Sequence, residues 1–437
     1  MKDIKQIYQS KLITAEEAAM KMKSNTDVIV AQCASEPQGC MDKFHLAKDK
    51  VENVQVFSVL TLKPYEFYIK PEMKGHFELC SWFHAAGSRQ AIKEKVGTVS
   101  YVPNMLHRAA SDRLKVRKPH MFFGTCTPPD DKGFVSLSLG ITYEKDILEQ
   151  AEITVLEVND QLPRTLGDTQ VHVSDVDFFV EHSQLPPVLP ASEPDETAMK
   201  IGENIAELVE DGSTIQLGIG EIPNAAALSL EGKKDLGVHT EMFVDSMVKL
   251  YEKGVITNKQ KALHKGKSVC TFAMGSEKMY EWLDNNPSVE FLRGRYVNDP
   301  CVVSQNSKMV SINTCMMIDF TGQVASESVG INQYSGTGGQ TDTAVGAIEG
   351  FDGKGKSIIA CRSTAKRDTV STIVPVLPEG TAVTLHRSHT DYVVTEHGSA
   401  RLTGLTVKER TKALISIAHP NFRAQLTEQA RKMAYID

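Results

Sequence analysis

The sequence predicts an α/β protein of two related domains, each built around a mostly parallel sheet. Three short segments are apolar and β-branched, and helical patterns separate them: DVIVAQ (27–32), NVQVFSVL (53–60) and ITVLEV (153–158). Alternation of strand and helix favours a parallel sheet with helices packed on it. The chain has 437 residues, which is enough for two cores, and both halves open on a helix, a turn and a strand.

The first domain begins with a clear helix pattern, TAEEAAMKMK (14–23). Thr14 and Glu17 stand three positions apart, which is the spacing of a capping box. The alternation of strands and helices continues from there to the proline-rich stretch. We therefore predict that the first domain covers residues 1–185.

A proline-rich stretch divides the chain. SQLPPVLPASEPD (183–195) holds four prolines in thirteen positions, which excludes a helix interior and a central strand. We predict a linker over 186–195 and a second domain over 196–437. That domain restarts with the helix ETAMKIGENIAELV, the turn Asp211-Gly212 and the strand STIQLGI. Its later strands are predicted in SVCTFAMG, MVSINTCMMIDF, KSIIACRS, STIVPVL and YVVTE.

Composition excludes several classes of protein. The net charge is −7 and no run of Lys and Arg occurs, so we expect no nucleic-acid partner. The apolar stretches are far shorter than the ~18 residues of a membrane helix, and the N-terminus lacks the apolar region of a secretory signal. Eight cysteines and 13 histidines show no disulfide or metal-ligand spacing. We therefore predict a cytoplasmic protein with reduced thiols, no membrane partner and no metal.

Two glycine-rich loops stand out, and the first directly follows a predicted strand. QLGIGEIPNAAALSL (216–230) leads from a strand into a helix, where backbone amides can approach an anion, although Pro223 stands where a dinucleotide-binding loop has its third glycine. SGTGGQTDTAVGA (335–347) offers amides for a phosphate or a developing oxyanion. The alternatives are tight packing for the first loop and a flexible surface turn for the second.

A glutamate lies in VHTEMFVDSMVKLY (238–251). Apolar residues recur at helical spacing after it, and Thr240 is a plausible N-cap. On this evidence Glu241 is either an acid in the first turn of a helix or a catalytic group, and the local pattern favours the helix.

The motifs in their order resemble the family I coenzyme A transferases, and more closely their acetyl-CoA hydrolase/transferase branch. The resemblance covers essentially the whole chain. It is carried by GIGEIPNA, GVHTEMFVD, SGTGGQTD, LEVNDQLPRTLGDTQVHVSDVDFFVE (156–181) and DYVVTEHGSARLTGLTVKERTKALISIAHPNF (391–422). It implies a CoA-transferase fold with the active site between two domains.

The resemblance also implies a mechanism and a set of site residues. Glu241 stands at the position of the family's nucleophile, which carries CoA as a glutamyl thioester in a ping-pong reaction. Coenzyme A is then a substrate, no cofactor is needed, and a homo-oligomer is expected. The residues assigned by analogy to CoA binding are Gln216, Leu217, Gly218, Ile219, Gly220, Gly338, Gly339 and Lys366.

Other residues receive weaker assignments. Lys366 is a candidate contact for CoA or an ordinary solvated lysine, and His239 is a core or capping residue rather than a base. The segments 31–39 and 127–134 follow predicted strands and are candidates for the acyl pocket, whereas Glu36 is left out of catalysis. The mechanism needs no general base, because a glutamate is ordinarily ionised at neutral pH.

The expected activity is CoA transfer from a short-chain acyl-CoA, butyryl-CoA or 4-hydroxybutyryl-CoA, to acetate. The alternatives are an acyl-CoA hydrolase that uses the same glutamate, a transferase for a dicarboxylate such as itaconate or succinate, and a non-enzymatic sensor of the same fold. No arginine is placed by the sequence to bind a second carboxylate, which favours monocarboxylates. Intact Glu241 and both glycine loops argue against the sensor.

Overall fold

A computed structural model describes residues 4–189 and 193–437. The chain forms two compact units. The first takes in the described residues up to Leu189 together with Cys270–Tyr296 and Tyr334–Gly338, and the second takes in the remaining described residues. Each unit has its own parallel sheet, so the predicted α/β class is confirmed.

The first unit is built on a seven-stranded sheet in which every neighbouring pair is parallel. From edge to edge the strands are Val99–Tyr101, Phe77–Phe83, Val54–Val59, Asp27–Val30, Met121–Cys126, Ile153–Val158 and Phe178–Glu181. All four residues of the central strand are buried. Alternate residues of the strands enter two separate apolar clusters, Val28 and Val30 in one and Ile29 in the other. The sheet is therefore covered on both faces, as parallel sheets are.

Short helices flank this sheet. They are Ile4–Ser10, Ala15–Ala19, Gln38–Met41, Glu66–Ile69, Ala86–Glu94, Ala109–Val116, Glu144–Leu148 and Glu277–Leu283. The predicted capping box is confirmed, because the Thr14 hydroxyl accepts from the Glu17 N–H and the Glu17 carboxylate accepts from the Thr14 N–H. Phe134–Ser136 and Gln170–His172 form an antiparallel pair beside the main sheet. The further short strands Phe272–Ala273 and Val289–Phe291 also lie in this unit.

The second unit has a six-stranded sheet. Its strands in order are Gly237–Val238, Thr214–Leu217, Met309–Thr314, Lys356–Ala360, Tyr392–Thr395 and Gly398–Arg401. The first five run parallel and the last returns as an antiparallel hairpin. The helices are Glu196–Leu208, Glu221–Ser229, Asp245–Glu252, Pro300–Val303, Gln340–Ile348, Val407–Ile417 and Pro420–Lys432, and Gly294–Val297 lies where the chain enters this unit. Strands Thr214–Leu217 and Gly237–Val238 end at the predicted GIG and HTEMF motifs, whereas the second glycine-rich loop follows the antiparallel strand Asn332–Gln333.

Shorter strands complete the second unit. They are Met242–Phe243, Met317–Asp319, Val324–Ala325, Ser328–Val329, Asn332–Gln333, Thr364–Ala365, Val370–Ser371 and Ile373–Val374, and Ser268–Cys270 spans the change from this unit to the first. Helices Glu196–Leu208 and Glu221–Ser229 pack closely, since a Cβ added at Gly202 would lie 2.6 Å from the carbonyl carbon of Ala225. The small residues of NAAAL therefore serve helix contact.

The contact-defined units divide the chain differently from the predicted domains 1–185 and 196–437, which stay a prediction. Segment 270–296 pairs within the first unit, because the Ile141 N–H donates to the Thr271 carbonyl and the Ala273 N–H donates to the Leu139 carbonyl. Residues 183–189 form neither helix nor strand, and positions 190–192 of the predicted linker lie outside the described residues. No helix in the described ranges is long and apolar enough to cross a membrane.

Candidate active site

Glu241 lies at a bend between the short strands Gly237–Val238 and Met242–Phe243 and not in a helix. The Thr240 N–H donates to the Val269 carbonyl at 2.9 Å, beside an isolated parallel bridge between His239 and Val269. The following helix is Asp245–Glu252 with Val244 as its N-cap residue. The prediction that Thr240 caps a helix is therefore wrong. Glu241 also lies outside the first turn of helix Asp245–Glu252, so it does not have the predicted interaction with a helix dipole.

The carboxylate of Glu241 is held by two amide donors. Asn298 Nδ2 donates to Glu241 Oε2 at 2.9 Å, and the Gly339 N–H also donates to this carboxylate. A Cβ added at Gly339 would lie 1.8 Å from Glu241 Oε2 and 2.2 Å from Asn298 Nδ2. Residue 339 must therefore be glycine for the carboxylate and the carboxamide to reach these positions.

Burial changes the charge of this glutamate. Removal from water raises the pKa of Glu241 to about 7, the amide donors of Asn298 and Gly339 oppose the rise, and the Asp342 carboxylate adds to it. About half of Glu241 is then ionised at pH 7. The sequence-based expectation of a fully ionised glutamate at neutral pH is corrected by this environment. A pKa near the working pH is typical of a group that does chemistry.

Gln216 belongs to a buried polar network beneath the second glycine loop. Its Oε1 accepts from Ser311 Oγ at 3.1 Å and from Asn313 Nδ2 at 3.4 Å, and Asn313 Nδ2 also lies 3.3 Å from Thr343 Oγ1, which can accept from it. Thr343 Oγ1 in turn donates to the Gly339 carbonyl at 3.0 Å. Gln216 is thus linked to Gly339 and, through it, to Glu241.

The first glycine loop has the predicted order of strand, loop and helix. Gly220 has φ +111 and is the N-cap of helix Glu221–Ser229, a conformation that favours glycine. Leu217 is buried in the sheet, whereas Ile219 is exposed. Gly218 donates its N–H to the Ile312 carbonyl at 3.0 Å. Ile219 and Gly220 are therefore the exposed residues of the Gly218–Ile219–Gly220 turn.

Gly338 and Lys366 are the remaining predicted residues. Gly338 has φ +55 and accepts from the Leu106 N–H within the first unit. Lys366 lies at the exposed tip of the hairpin formed by Thr364–Ala365 and Val370–Ser371, where three consecutive residues have positive φ. Their assignment to CoA binding stays a prediction.

Glu36 is buried within the first unit. Its carboxyl group accepts from the Leu62 N–H and from the Tyr65 hydroxyl, each at 3.2 Å, and burial raises its pKa to about 8. These contacts tie two loops of the first sheet together. The roles of segments 31–39 and 127–134 in an acyl pocket stay predictions.

Asn298 was missed by the sequence reasoning. It is fully buried, yet Oδ1 has no hydrogen-bond partner within the described part of the chain. The local sequence VNDP suggests only a turn before a helix, and Asp299 does cap helix Pro300–Val303. Because Asn298 and Glu241 are 57 positions apart, no local pattern connects them.

Comparison with known proteins gives matches over both halves. The model of the acetyl-CoA hydrolase/transferase N-terminal domain matches residues 1–190, and that of the C-terminal domain matches residues 275–430. A 4-hydroxybutyrate coenzyme A transferase of Clostridium kluyveri is 42% identical over 98% of this chain and 99% of its own. A succinyl-CoA:cyclohexane-1-carboxylate CoA transferase of Geobacter metallireducens is 39% identical over 98% of this chain and 96% of its own. The crystal structure of RipA from Yersinia pestis superposes with a TM-score of 0.93 at 35% identity, over 99% of this chain and 100% of that one.

Proposed function

The chain belongs to the acetyl-CoA hydrolase/transferase family and is a CoA-transferase, and on this basis we propose that it moves CoA between short-chain carboxylic acids with Glu241 as its nucleophile. The observation that carries the proposal is the carboxylate of Glu241 held between the Asn298 carboxamide and the Gly339 N–H. A carboxylate fixed by two donors, with a pKa near neutrality, is suited to attack a thioester and to be attacked in turn.

The proposed reaction begins with attack of ionised Glu241 on the thioester carbonyl of an acyl-CoA. The C–S bond breaks, the CoA thiolate leaves, and a mixed anhydride joins Glu241 to the acyl group. The thiolate then attacks the glutamyl carbonyl and releases the carboxylate product, which leaves CoA on Glu241 as a thioester. An acceptor carboxylate reverses both steps, so charge and atoms balance without a cofactor.

The raised pKa of Glu241 makes the first step less uphill. For an ordinary glutamate near ~4.3 that displaces a thiolate near ~8.5, the mismatch in basicity is worth roughly 6 kcal/mol. With the pKa of Glu241 at about 7, the mismatch falls to roughly 2 kcal/mol. The environment therefore lowers the fraction of Glu241 that is ionised, but it makes the ionised carboxylate a more basic nucleophile. Binding energy from the remote parts of CoA offsets the remainder.

The two amide donors have a second use in this scheme. When the thiolate attacks the glutamyl carbonyl, negative charge develops on an oxygen of Glu241. Asn298 Nδ2 already lies 2.9 Å from Oε2, and the Gly339 N–H bonds to the same carboxylate. Fixed donors at such a position stabilise a tetrahedral oxyanion. The network of Gln216, Ser311 and Thr343 keeps the Gly339 peptide in place for this step.

For the substrates we propose butyryl-CoA or 4-hydroxybutyryl-CoA as donor and acetate as acceptor. The relative at 42% identity is named for 4-hydroxybutyrate, which supports a four-carbon acyl group. The relative at 39% identity is named for succinyl-CoA, which keeps a dicarboxylate donor as the second candidate.

The assay compares both acyl-CoA donors and succinyl-CoA, each with and without acetate, and follows acetyl-CoA and free CoA separately. A transferase forms acetyl-CoA only when acetate is present and releases little free CoA. Steady release of free CoA without an acceptor would identify a hydrolase that uses the same glutamate. Absence of both products with all donors would refute the proposed function.

The proposal also includes a homo-oligomer in the cytoplasm. All eight cysteines are free thiols, which suits a reducing compartment. Soluble oligomers are mostly symmetric homo-oligomers, so the proposed assembly is a dimer or a tetramer. Light scattering during size exclusion tests the oligomer, with a monomeric mass as the result against it.

A further inference from the structure

His239 is a buried side chain with one well-defined contact. It is 1% exposed, and its Nε2 lies 2.8 Å from the carbonyl oxygen of Val297. A carbonyl can only accept, so Nε2 carries the proton and donates. Nδ1 is buried and has no hydrogen-bond partner among the described residues. The ring is therefore the neutral tautomer protonated at Nε2.

The surroundings keep His239 neutral. The pKa of His239 is lowered to about 3, chiefly by burial and also by the Lys261 cation and His264, whereas the bond to Val297 opposes the shift. Its single proton is committed to a carbonyl, and the other nitrogen is enclosed. His239 therefore cannot act as the base or acid of an acyl transfer at neutral pH.

The hydrogen bond from His239 to Val297 connects the two chain segments that form the site. His239 precedes Glu241 by two residues, and its backbone is fixed in the sheet by donation from the His239 N–H to the Ile215 carbonyl at 3.1 Å. Val297 precedes Asn298, which donates to Glu241 Oε2. The imidazole of His239 thus links the segment that carries Glu241 to the segment that carries Asn298.

We propose that His239 is a positioning residue, which holds Asn298 against the carboxylate of Glu241 by donating a hydrogen bond from Nε2 to the Val297 carbonyl. The proposal rests on the proposed function in taking Glu241 as the nucleophile. Without this hydrogen bond, the Val297–Asn298 peptide is free to move away from Glu241. A displacement of about 1 Å at a reacting group can cost a hundredfold in rate.

The hydrogen bond between His239 and Val297 affects the charge of Glu241. The groups that face this carboxylate are Asn298, the Gly339 N–H and Asp342. Asn298 favours the ionised form, so its withdrawal raises the pKa of Glu241. A hydrogen bond to a charged group is worth enough to shift a pKa by about one unit. At pH 7 the ionised fraction would then fall about fivefold.

The test measures the protonation of Glu241 directly in the free protein. Infrared difference titration compares each variant with the same variant carrying Glu241→Gln, so that only this carboxyl group contributes. The variants are His239→Leu, which removes the donor, and His239→Gln, whose side-chain amide can donate from nearly the place of Nε2. His239→Asn keeps polarity but is too short to reach Val297, and it serves if the leucine variant does not fold.

Asn258→Ala is the matched control. Asn258 is fully buried beneath the same strand and accepts from the Val238 N–H at 2.9 Å, but it bonds neither Val297 nor Asn298. Loss of the Asn258 side chain weakens the packing of strand Gly237–Val238 but leaves the hydrogen bond between His239 and Val297 in place. A purely structural role for His239 predicts the same titration in this control and in His239→Leu.

The expected result is a midpoint about one unit above the wild-type value of about 7 in His239→Leu or His239→Asn. His239→Gln and Asn258→Ala should stay within about half a unit of wild type. In an Asn298→Ala background, His239→Leu should add no further shift, because residues that act through one contact are not additive. An unshifted midpoint in both donor-less variants, or a shift that persists without Asn298, overturns the proposal.

The outcome is independent of the proposed activity, because the titration needs no substrate. The expected titration in a protein without CoA transfer would refute the proposed function and leave the positioning contact standing. CoA transfer with an unshifted titration would refute the role of His239 alone.

Discussion

Asn298 donates a hydrogen bond of 2.9 Å from Nδ2 to Oε2 of Glu241, although the two residues are 57 positions apart. The bond stabilises the ionised carboxylate, and it lies where an oxyanion develops in the proposed second step. Asn298→Ala should therefore lower kcat/KM for transfer at least tenfold, since hydrogen bonds to charged groups contribute about 1.5–3 kcal/mol. Steady-state kinetics over pH 5–9 test this; unchanged kcat/KM across that range would contradict it.

Asp342 should tune the pH dependence. Its carboxylate raises the pKa of Glu241, so Asp342→Asn should lower that pKa toward the ordinary glutamate value. The acid limb of kcat/KM should then move to lower pH, and relative activity near pH 6 should rise. Activity at high pH should fall, because a less basic carboxylate is a weaker nucleophile. A movement of the acid limb to higher pH would contradict this assignment.

Gly339→Ala should abolish transfer in a folded protein. The added methyl group would lie 1.8 Å from Glu241 Oε2, which displaces either the carboxylate or the loop. Gly232→Ala is the control, because a Cβ at Gly232 meets nothing within 4 Å. Circular dichroism and activity of both variants give the comparison. Normal transfer by Gly339→Ala would mean that the loop does not touch the nucleophile during the reaction.

The partly buried Glu241, whose carboxyl group is largely removed from water, should lower stability at alkaline pH. The folded pKa of about 7 exceeds the ordinary value of 4.5, so the folded state holds the proton more tightly than the unfolded state does. Stability from this group is complete below pH 4.5 and is lost as pH rises through 7, by roughly 3 kcal/mol in total.

Glu241→Gln removes this dependence. Relative to wild type, it should be more stable at pH 8 than at pH 4 by roughly 3 kcal/mol. Urea unfolding at both pH values measures the difference. Burial also raises the pKa of Glu36 and of Glu144 in the first unit, but these two groups contribute equally to both proteins. A difference that does not grow with pH would show that Glu241 has an ordinary pKa.

Much of the architecture follows from local sequence. ITVLEV forms the strand Ile153–Val158 as predicted, and Thr14 with Glu17 forms the capping box. The capping box depends on contacts within a few residues, and the strand is recognisable because burial on both faces of a parallel sheet requires a run of apolar residues. The strand–GIG–helix turn was predictable for the same reason, since Gly220 adopts a positive φ.

Other features depend on contacts that local patterns do not contain. The helical spacing after Glu241 suggested a start at Thr240, but the Thr240 N–H bonds to the Val269 carbonyl and the helix begins only at Asp245. Asn298 and His239 acquire their roles from partners more than fifty positions away. Segment 270–296 joins the first unit through backbone pairing that its apolar pattern does not specify.

The covalent state of Glu241 tests the central claim most directly. Purified enzyme is mixed with butyryl-CoA without an acceptor, and intact-protein and peptide mass spectrometry follow the adduct. We expect the mass of CoA, less one water, on the peptide that contains Glu241, its removal by borohydride with loss of activity, and no adduct on Glu241→Gln. Transfer by Glu241→Gln at the wild-type rate, with deamidation excluded by mass, or an adduct on another residue would contradict the account.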